Sequence, residues 1–342
     1  MKLRTKTVRK TVSLLDGIIK EYKEESVKQP RNWRTYEQQL SLRIRTALRS
    51  FTPLIDEACS VLTIVRAEKR GQKPKLALRQ RVTVLLLKHL FQKSNREMAN
   101  MLVLFSPLSD IDVSYKSIER LYSDHEVDLV LMNMQMLLLR KKDITEVDTC
   151  GDGTGYSVTV KKHYASEAEK LKDKSNKKTK KKSKKKTKKV AKYIFSFRLM
   201  DLDTRLYVGF GTSFKSEKEA YLKAMEMARN VGIKSIRLDR YYSAQKYVKK
   251  LEEWFGKGVR IYLVPKKNVT IRGTQKWKKM LAYFVNNTKG FLKEYFKRNQ
   301  SESGFSEDKR RFGWKIPQRR KDRIETYDFC TALWHNLFWL EG

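Results

Sequence analysis

The stretch Tyr295-Phe-Lys-Arg298-Asn-Gln-Ser-Glu302-Ser-Gly-Phe-Ser-Glu-Asp-Lys309 places four polar side chains at helical spacing near the C-terminus. With Tyr295 taken as zero and about 100° per residue, Arg298 falls near 300° on an α-helix. Glu302 falls near 340° and Lys309 near 320° by the same count. On a continuous helix, the phenol, the two cations and the carboxylate share an arc of about 60°. A surface helix does not need this stacking, whereas a site that holds a metal ion against a phosphate does.

Two aspartates earlier in the chain are placed to join this site. The segment from Ile144 to Val160 is rich in Val, Thr and Tyr, which predicts a strand that contains Asp152. The short apolar run from Ile233 to Leu238 predicts another strand, and Asp239 follows it directly. Because strand ends lie side by side in an open α/β sheet and form ligand sites there, we expect Asp152 and Asp239 to be neighbours.

Three converging carboxylates repel one another unless they hold divalent cations. Hard oxygen ligands, with no His or Cys near them in sequence, select Mg²⁺ or Mn²⁺. Two such ions about 3.5–4 Å apart activate a water or a 3′-hydroxyl and stabilise the leaving oxygen of a phosphodiester. Arg298 and Lys309 then supply positive charge for a DNA backbone. Tyr295 is suited to donate a hydrogen bond to a phosphate or to stack on a base.

Composition supports a nucleic-acid partner. The 342 residues carry a formal net charge of +38, far more than solubility requires, which indicates a polyanionic partner. DNA is favoured over an anionic membrane surface, since no apolar run approaches the roughly 20 residues of a membrane span. The N-terminus lacks the apolar segment of a signal peptide. The three scattered cysteines predict neither a disulfide framework nor a zinc site, so we expect a cytoplasmic protein associated with the nucleoid.

Residues 1–142 predict an all-helical DNA-binding domain, with a helix-turn-helix at 82–122. Ser94-Asn-Arg-Glu97 has the pattern of a capping box that opens the helix Asn95 to Phe105. A third helix over 114–122 carries Lys116 and Arg120 as candidate DNA contacts. The alternative is an ordinary helical bundle that binds nothing.

Residues 143–342 predict an α/β domain with a mixed sheet. A strand and a hairpin are followed by helices that alternate with strands, which implies mixed strand directions and helices on the faces of the sheet. Single helices are predicted over Ser216 to Asn230, Ser243 to Trp254, Thr274 to Asn286, Gly290 to Phe312 and Asp322 to Leu340. The Lys-rich insertion at about 170–192 cannot bury apolar surface, which predicts a disordered loop.

The polar spacing of Tyr295, Arg298, Glu302 and Lys309 resembles the Tyr-x2-Arg-x3-Glu-x6-Lys signature of DDE transposases of prokaryotic insertion sequences. Asp152-Gly-Thr-Gly-Tyr156 resembles the first-aspartate segment of that family, and Asp239-Arg-Tyr-Tyr-Ser243 resembles the second. The resemblance covers about 145–342, including the closing helix with Ala332-Leu-Trp-His-Asn-Leu337. It implies an RNase-H-like core that cuts transposon ends in terminal inverted repeats and joins the 3′-hydroxyl to target DNA. It also implies a homodimer that pairs two ends.

Two points depart from the family pattern. Asp148 lies four residues before Asp152 and is an alternative first ligand, although the Gly-Thr-Gly that follows Asp152 favours the latter. The 63 residues from Asp239 to Glu302 leave little room for the large β insertion with which some relatives form DNA hairpins, so hairpin formation stays open. Two other functions stay open: a structure-specific nuclease on the same fold, and an inactive or repurposed DNA-binding protein derived from a transposase.

Deleting residues 172–189 is expected to lower affinity for non-specific duplex DNA and to reduce its dependence on salt, because the segment adds sequence-independent attraction to phosphates. The melting temperature should stay close to that of the full chain. Fluorescence anisotropy across a salt series, with thermal unfolding beside it, checks both points. A large fall in melting temperature would instead show that the segment is part of the folded core.

Overall fold

The N-terminal part of the chain is helical. A computed structural model describes residues 3–25, 32–62, 74–106, 111–158 and 193–340. The helices before the sheet are α1 (Thr5–Ser13), α2 (Leu15–Glu25), α3 (Trp33–Ser60), α4 (Leu78–Leu90), α5 (Asn95–Leu104), α6 (Tyr115–Leu121) and α7 (His125–Lys141). The Ser94 hydroxyl accepts from the Glu97 amide and the Glu97 carboxylate accepts from the Ser94 amide, which confirms the predicted capping box. The predicted loop at about 170–192 lies outside the described residues.

A mixed sheet follows the helices. Its strands are β1 (Glu146–Val158), β2 (Tyr193–Asp201), β3 (Tyr207–Ser213), β4 (Gly232–Leu238), β5 (Arg260–Tyr262) and β6 (Lys315–Ile316). The order across the sheet is β3-β2-β1-β4-β5, and β6 pairs with the far end of β1. The first three strands are antiparallel, whereas β4 and β5 run parallel to β1. This hairpin-led mixed sheet after a helical region confirms the predicted fold class and is consistent with an RNase-H-like core.

The remaining helices surround the sheet. They are α8 (Glu217–Met227), α9 (Gln245–Phe255), α10 (Gln275–Asn286), α11 (Thr288–Phe296), α12 (Asn299–Phe312) and α13 (Lys321–Phe338). A single 3₁₀ turn, Ala228–Asn230, follows α8. Each predicted helix of this half is present, but the prediction of one continuous helix from Gly290 to Phe312 is wrong, because α11 and α12 are separate.

Two glycines of β3 let α8 lie against the sheet. A Cβ at Gly209 would stand 2.3 Å from the Ala224 carbonyl oxygen, and one at Gly211 would stand 2.3 Å from the Ala220 carbonyl oxygen. All residues of β3 are buried, as expected for a strand covered on both faces. The helix therefore packs with its backbone almost touching the strand.

The apolar cores extend across both halves of the chain. Phe51 of α3 stacks on Trp334 of α13 with ring centroids 5.2 Å apart, and the Trp334 indole donates to the Leu86 carbonyl of α4. Val8 and Val12 of α1 are buried in the same cluster as the apolar residues of β4 and α10. The division into domains at 142/143 stays a prediction.

Replacing Gly211 by Ala is expected to destabilise the protein by about 1–3 kcal/mol, because the added methyl group must push α8 away from β3. The control is Gly155→Ala on β1, where the nearest atom to an added Cβ is 3.7 Å away, an ordinary contact distance. Urea denaturation of both variants measures the difference in free energy of unfolding. Equal loss in the two variants would contradict the close packing of α8 on β3.

Candidate active site

Asp152 and Asp239 lie side by side on adjacent parallel strands. Asp152 is inside β1, and Asp239 follows the last residue of β4. The strands pair so that Gly151 of β1 faces Leu238 of β4, which puts the two aspartates at the same level of the sheet. This juxtaposition is the one that the strand pattern predicted.

A break between α11 and α12 brings two further side chains to the same edge. Helix α11 ends at Phe296 and α12 begins at Asn299, with Arg298 between them and Glu302 in the first turn of α12. The amides near the break bond to carbonyls three residues earlier, for example Arg298 to Tyr295 at 3.1 Å, which tightens the chain there. The arc calculated for a continuous helix is therefore wrong.

The three carboxylates converge on the Arg298 guanidinium. Its Nη1 lies 3.6 Å from Asp152 Oδ2, and its Nη2 lies 3.7 Å from Asp239 Oδ1 and 3.0 Å from Glu302 Oε1. Since Asp239 and Glu302 contact the same nitrogen, their oxygens are at most about 7 Å apart, the sum of those two distances. The structure thus brings together the two strand aspartates and the helix glutamate.

Each aspartate is oriented by a backbone amide. The Gly153 amide donates to Asp152 Oδ1 at 2.9 Å, and the Tyr241 amide donates to Asp239 Oδ2 at 2.9 Å. In both side chains, the other oxygen is the one that faces Arg298. One oxygen is held by the backbone and the second remains available to a cation.

Burial differs across the site. The side chains of Asp152 and Arg298 are 20% and 17% exposed, whereas those of Asp239 and Glu302 are 39% and 51% exposed. Burial raises the pKa of Asp152 to about 6, with Glu302 and Asp239 adding to the rise, while the Gly153 amide and Arg298 oppose it. Burial alone would lower the pKa of Arg298, but Tyr295 and the three carboxylates outweigh this effect and raise it. The site opens to solvent on the side of Asp239 and Glu302.

The donor chemistry suits a hard cation, since all three groups are carboxylates. As the side chains stand, no group of three or more His, Cys, Asp or Glu in the described parts of the chain is close enough to hold a metal ion. The guanidinium of Arg298 lies in the space between the carboxylates. These residues therefore fit a divalent ion in type and direction, provided that Arg298 moves.

Asp148 lies at a different place. Its carboxylate accepts from the Ser235 hydroxyl and lies 3.6 Å from the Arg260 guanidinium. Four residues along a strand span about 13 Å, so Asp148 is remote from Asp152. The geometry favours Asp152 as the partner of Asp239 and Glu302.

Tyr295 and Lys309 flank the carboxylates at different distances. The Tyr295 ring is buried, with its centroid 5.5 Å from Arg298 Cζ. The Lys309 ammonium donates to the Thr154 hydroxyl at 2.6 Å and to the Gly155 carbonyl at 3.2 Å. Thr154 is two residues beyond Asp152 on β1, or about 7 Å. Lys309 therefore lies beside the carboxylates and not among them.

Sequence reasoning missed the buried network that holds α12. Arg198 of β2 is fully buried and pairs with Asp308 of α12 and with Asp328 of α13. The Tyr207 hydroxyl donates to Asp308 at 2.8 Å, and His335 Nδ1 lies 2.9 Å from the same carboxylate. Burial alone would raise the pKa of Asp308, but His335 and Arg198 outweigh this effect and lower it. A lone arginine in an apolar strand, Tyr193–Asp201, was the available signal.

A second missed group joins β4 to α11. Arg237 Nε donates to the Glu294 carbonyl at 2.9 Å, and its guanidinium also pairs with the Glu294 carboxylate. Arg237 is two residues before Asp239, and Glu294 is four residues before Arg298. The pair therefore fixes the end of α11 next to the end of β4.

The candidate DNA contacts of the helical region line a groove that contains none of the carboxylates of the candidate active site. Lys116 and Arg120 are exposed on α6 and line a groove of about 510 Å³, together with Lys75 and Arg81. Helices α4, α5 and α6 are present as the pattern predicted. Within the described ranges, no helix has both the length and the apolarity to cross a membrane.

The chain has a close relative among known proteins. Over 336 residues it is 42% identical to a probable transposase for insertion sequence element ISA1214 of Archaeoglobus fulgidus. The match covers 97% of this chain and 95% of the relative. No protein-family model matches the chain.

Replacing Arg198 by Met is expected to lower the free energy of unfolding by about 3–5 kcal/mol, because Asp308 and Asp328 lose the cation that pairs them in the interior. The control is Arg310→Ala, an exposed residue of α12 whose guanidinium bonds to the Ser306 carbonyl of its own helix. That change should stay within about 0.5 kcal/mol. Chemical denaturation measures both, and a similar small loss in each would contradict the anchoring role of Arg198.

Proposed function

The chain belongs to the transposases of insertion sequences, enzymes that cleave and join DNA, and we propose that Asp152, Asp239 and Glu302 are its catalytic residues. The supporting observation is the convergence of these three carboxylates on one cation, Arg298, at the edge of the sheet. Two of them come from adjacent parallel strands and the third from a helix, as the Tyr-x2-Arg-x3-Glu-x6-Lys type of DDE transposase requires. The proposed reaction is cleavage at terminal inverted repeats followed by transfer of the 3′-hydroxyl to target DNA.

Asp152, Asp239 and Glu302 are the proposed ligands of Mg²⁺ or Mn²⁺, and two ions are expected. When bound, the ions supply an activated water or 3′-hydroxyl and stabilise the leaving oxygen of the phosphodiester. The backbone amides of Gly153 and Tyr241 orient the two aspartates for this task. Two ion pairs hold the helices beside the strands: Arg237 with Glu294 of α11, and Arg198 with Asp308 of α12. They thereby keep Arg298 and Glu302 close to the two aspartates.

The remaining candidate residues are proposed to bind DNA. Arg298 offers a planar guanidinium for a phosphate near the cut. Lys309, which bonds to Thr154, is proposed to contact a neighbouring phosphate of the DNA strand. The Tyr295 phenol, next to Arg298, is proposed to contact the DNA as well. Lys116 and Arg120 on α6 are suited to DNA of the terminal repeat, as in a helix-turn-helix. We also propose that the enzyme acts on cytoplasmic, nucleoid-associated DNA as a homodimer, because two transposon ends must be held together.

The interval between Asp239 and Glu302 bears on the cleavage intermediate. It contains α9, α10, α11 and one three-residue strand, β5, and all of it is described. The large β insertion that supplies hairpin-forming residues in some relatives has no counterpart there. We therefore propose cleavage that does not depend on such an insertion.

Asp239→Asn and Glu302→Gln are each expected to reduce cleavage of labelled DNA carrying the element's own terminal repeats by about a thousandfold or more, because each removes a charged metal ligand. Binding of the same DNA, measured without divalent metal, should stay near that of the unchanged protein, since neither residue is proposed to hold a phosphate. Asp148→Asn is the matched control and should retain cleavage. Cleavage at a tenth of the normal rate in Asp239→Asn or Glu302→Gln would show that the site is wrongly assigned.

The products of the same assay separate the alternatives. Strand transfer in Mg²⁺ supports the proposed transposition reaction. Cleavage of branched DNA regardless of its end sequence supports a structure-specific nuclease. Binding without cleavage supports a repurposed DNA-binding protein.

A further inference from the structure

Arg298 is placed where two different partners compete for it. In the described structure, the ion pairs of Asp152, Asp239 and Glu302 all go to this one guanidinium. Three carboxylates this close need a cation between them. The arginine supplies one positive charge to a position whose three negative charges suit a divalent ion better.

The guanidinium has one contact of hydrogen-bond length with the carboxylates, from Nη2 to Glu302 at 3.0 Å. Its contacts with Asp152 and Asp239, at 3.6 and 3.7 Å, are longer than hydrogen bonds. Its Nε is buried and has no hydrogen-bond partner among the described residues. None of the three carboxylates accepts two parallel bonds from it, the arrangement in which a guanidinium binds a phosphate. Because Nε is buried, a phosphate reaches that edge only when the side chain turns. The arginine therefore has donor capacity that its present partners leave unused.

Arg298 is also able to turn without disturbing either helix. Its backbone is held at the break between α11 and α12, because its amide donates to the Tyr295 carbonyl at 3.1 Å and its carbonyl accepts from the Ser301 amide at 2.9 Å, so only the side chain needs to turn. The two helices are fixed independently, α11 near its C-terminal end through Glu294 to Arg237 and α12 in its second half through Asp308 to Arg198. A change in the side-chain position of Arg298 needs no movement of Glu302 or of the strand aspartates.

We propose that Arg298 occupies the cation position of the carboxylate site in the DNA-free protein and leaves it when a DNA phosphate binds the guanidinium. Metal binding and DNA binding then strengthen each other, because both require the arginine to leave the carboxylates. By linkage, the factor by which DNA raises metal affinity equals the factor by which metal raises DNA affinity. The inference rests on the proposed function, in which these carboxylates are the metal ligands. In consequence, the active site binds metal mainly when DNA is already bound.

The experiment measures Mn²⁺ binding to the full chain by the electron paramagnetic resonance signal of free Mn²⁺, with and without duplex DNA of the terminal repeat. In the unchanged protein, DNA is expected to raise Mn²⁺ affinity about tenfold, within the usual range of coupling between sites. Arg298→Ala should bind Mn²⁺ about tenfold more tightly without DNA, and DNA should raise that affinity little further. Arg298→Gln, which keeps an amide of intermediate length, serves as the second variant, and circular dichroism checks the fold of both.

The matched control is Arg310→Ala, which removes a positive charge from α12, the helix that carries Glu302; the Arg310 guanidinium bonds to the Ser306 carbonyl. It should leave both the Mn²⁺ affinity and the DNA effect close to those of the unchanged protein. Equal Mn²⁺ affinity in the unchanged protein and in the Arg298 variants, with no effect of DNA, would overturn the proposal while leaving the metal site intact. Equal tightening in Arg310→Ala and Arg298→Ala would overturn it too, because general charge would then be the cause. Absence of Mn²⁺ binding in every protein, or binding that Asp239→Asn does not weaken, would instead overturn the proposed metal site.

Discussion

The structure of the site depends on the convergence of three carboxylates on the Arg298 guanidinium. Carboxylates this close repel one another, so the middle of β1, the end of β4 and the start of α12 together create a position that favours a cation. The sheet supplies the first two groups through the parallel pairing of β1 with β4. The break between α11 and α12 supplies the third together with the cation itself. The proposed function rests on this geometry, since oxygen ligands on one edge are what a metal-dependent phosphodiester reaction needs.

Ion pairs of two buried arginines, Arg198 and Arg237, fix the helices of the site against the sheet. Arg198 joins the middle of the sheet to α12 and α13, and Arg237 joins the end of β4 to the end of α11. Such pairs add little net stability compared with apolar packing, but they fix geometry, because a misplaced helix would leave a buried charge unpaired. The carboxylates of the proposed site come from three separate elements, so this restriction on geometry helps to keep them together. The site therefore combines helices that are anchored to the sheet with one guanidinium that lies between three carboxylates.

Local patterns in the sequence predicted much of this. Apolar runs that end in aspartate predicted β4 and Asp239, and the Val/Thr-rich segment predicted β1 and Asp152, because both signals lie within a few residues.

The break at Lys297 and Arg298 was not predictable, since no Gly or Pro lies between Phe296 and Gln300. The partners of Arg198 were not predictable either, because they lie 110 and 130 residues away in sequence. The choice between Asp148 and Asp152 needed the strand register, which places Asp148 next to Ser235. The metal, the DNA contacts and the dimer remain proposals, since they concern partners outside the chain.

The central claim is that Asp152, Asp239 and Glu302 jointly hold the catalytic metal. Anomalous diffraction from a crystal of the protein with terminal-repeat DNA and Mn²⁺ tests it most directly. The account predicts manganese density between these three carboxylates, with the Arg298 guanidinium turned onto a DNA phosphate. Manganese bound at Asp148, or a site that still holds Arg298 and no metal while the DNA is in place, would contradict it.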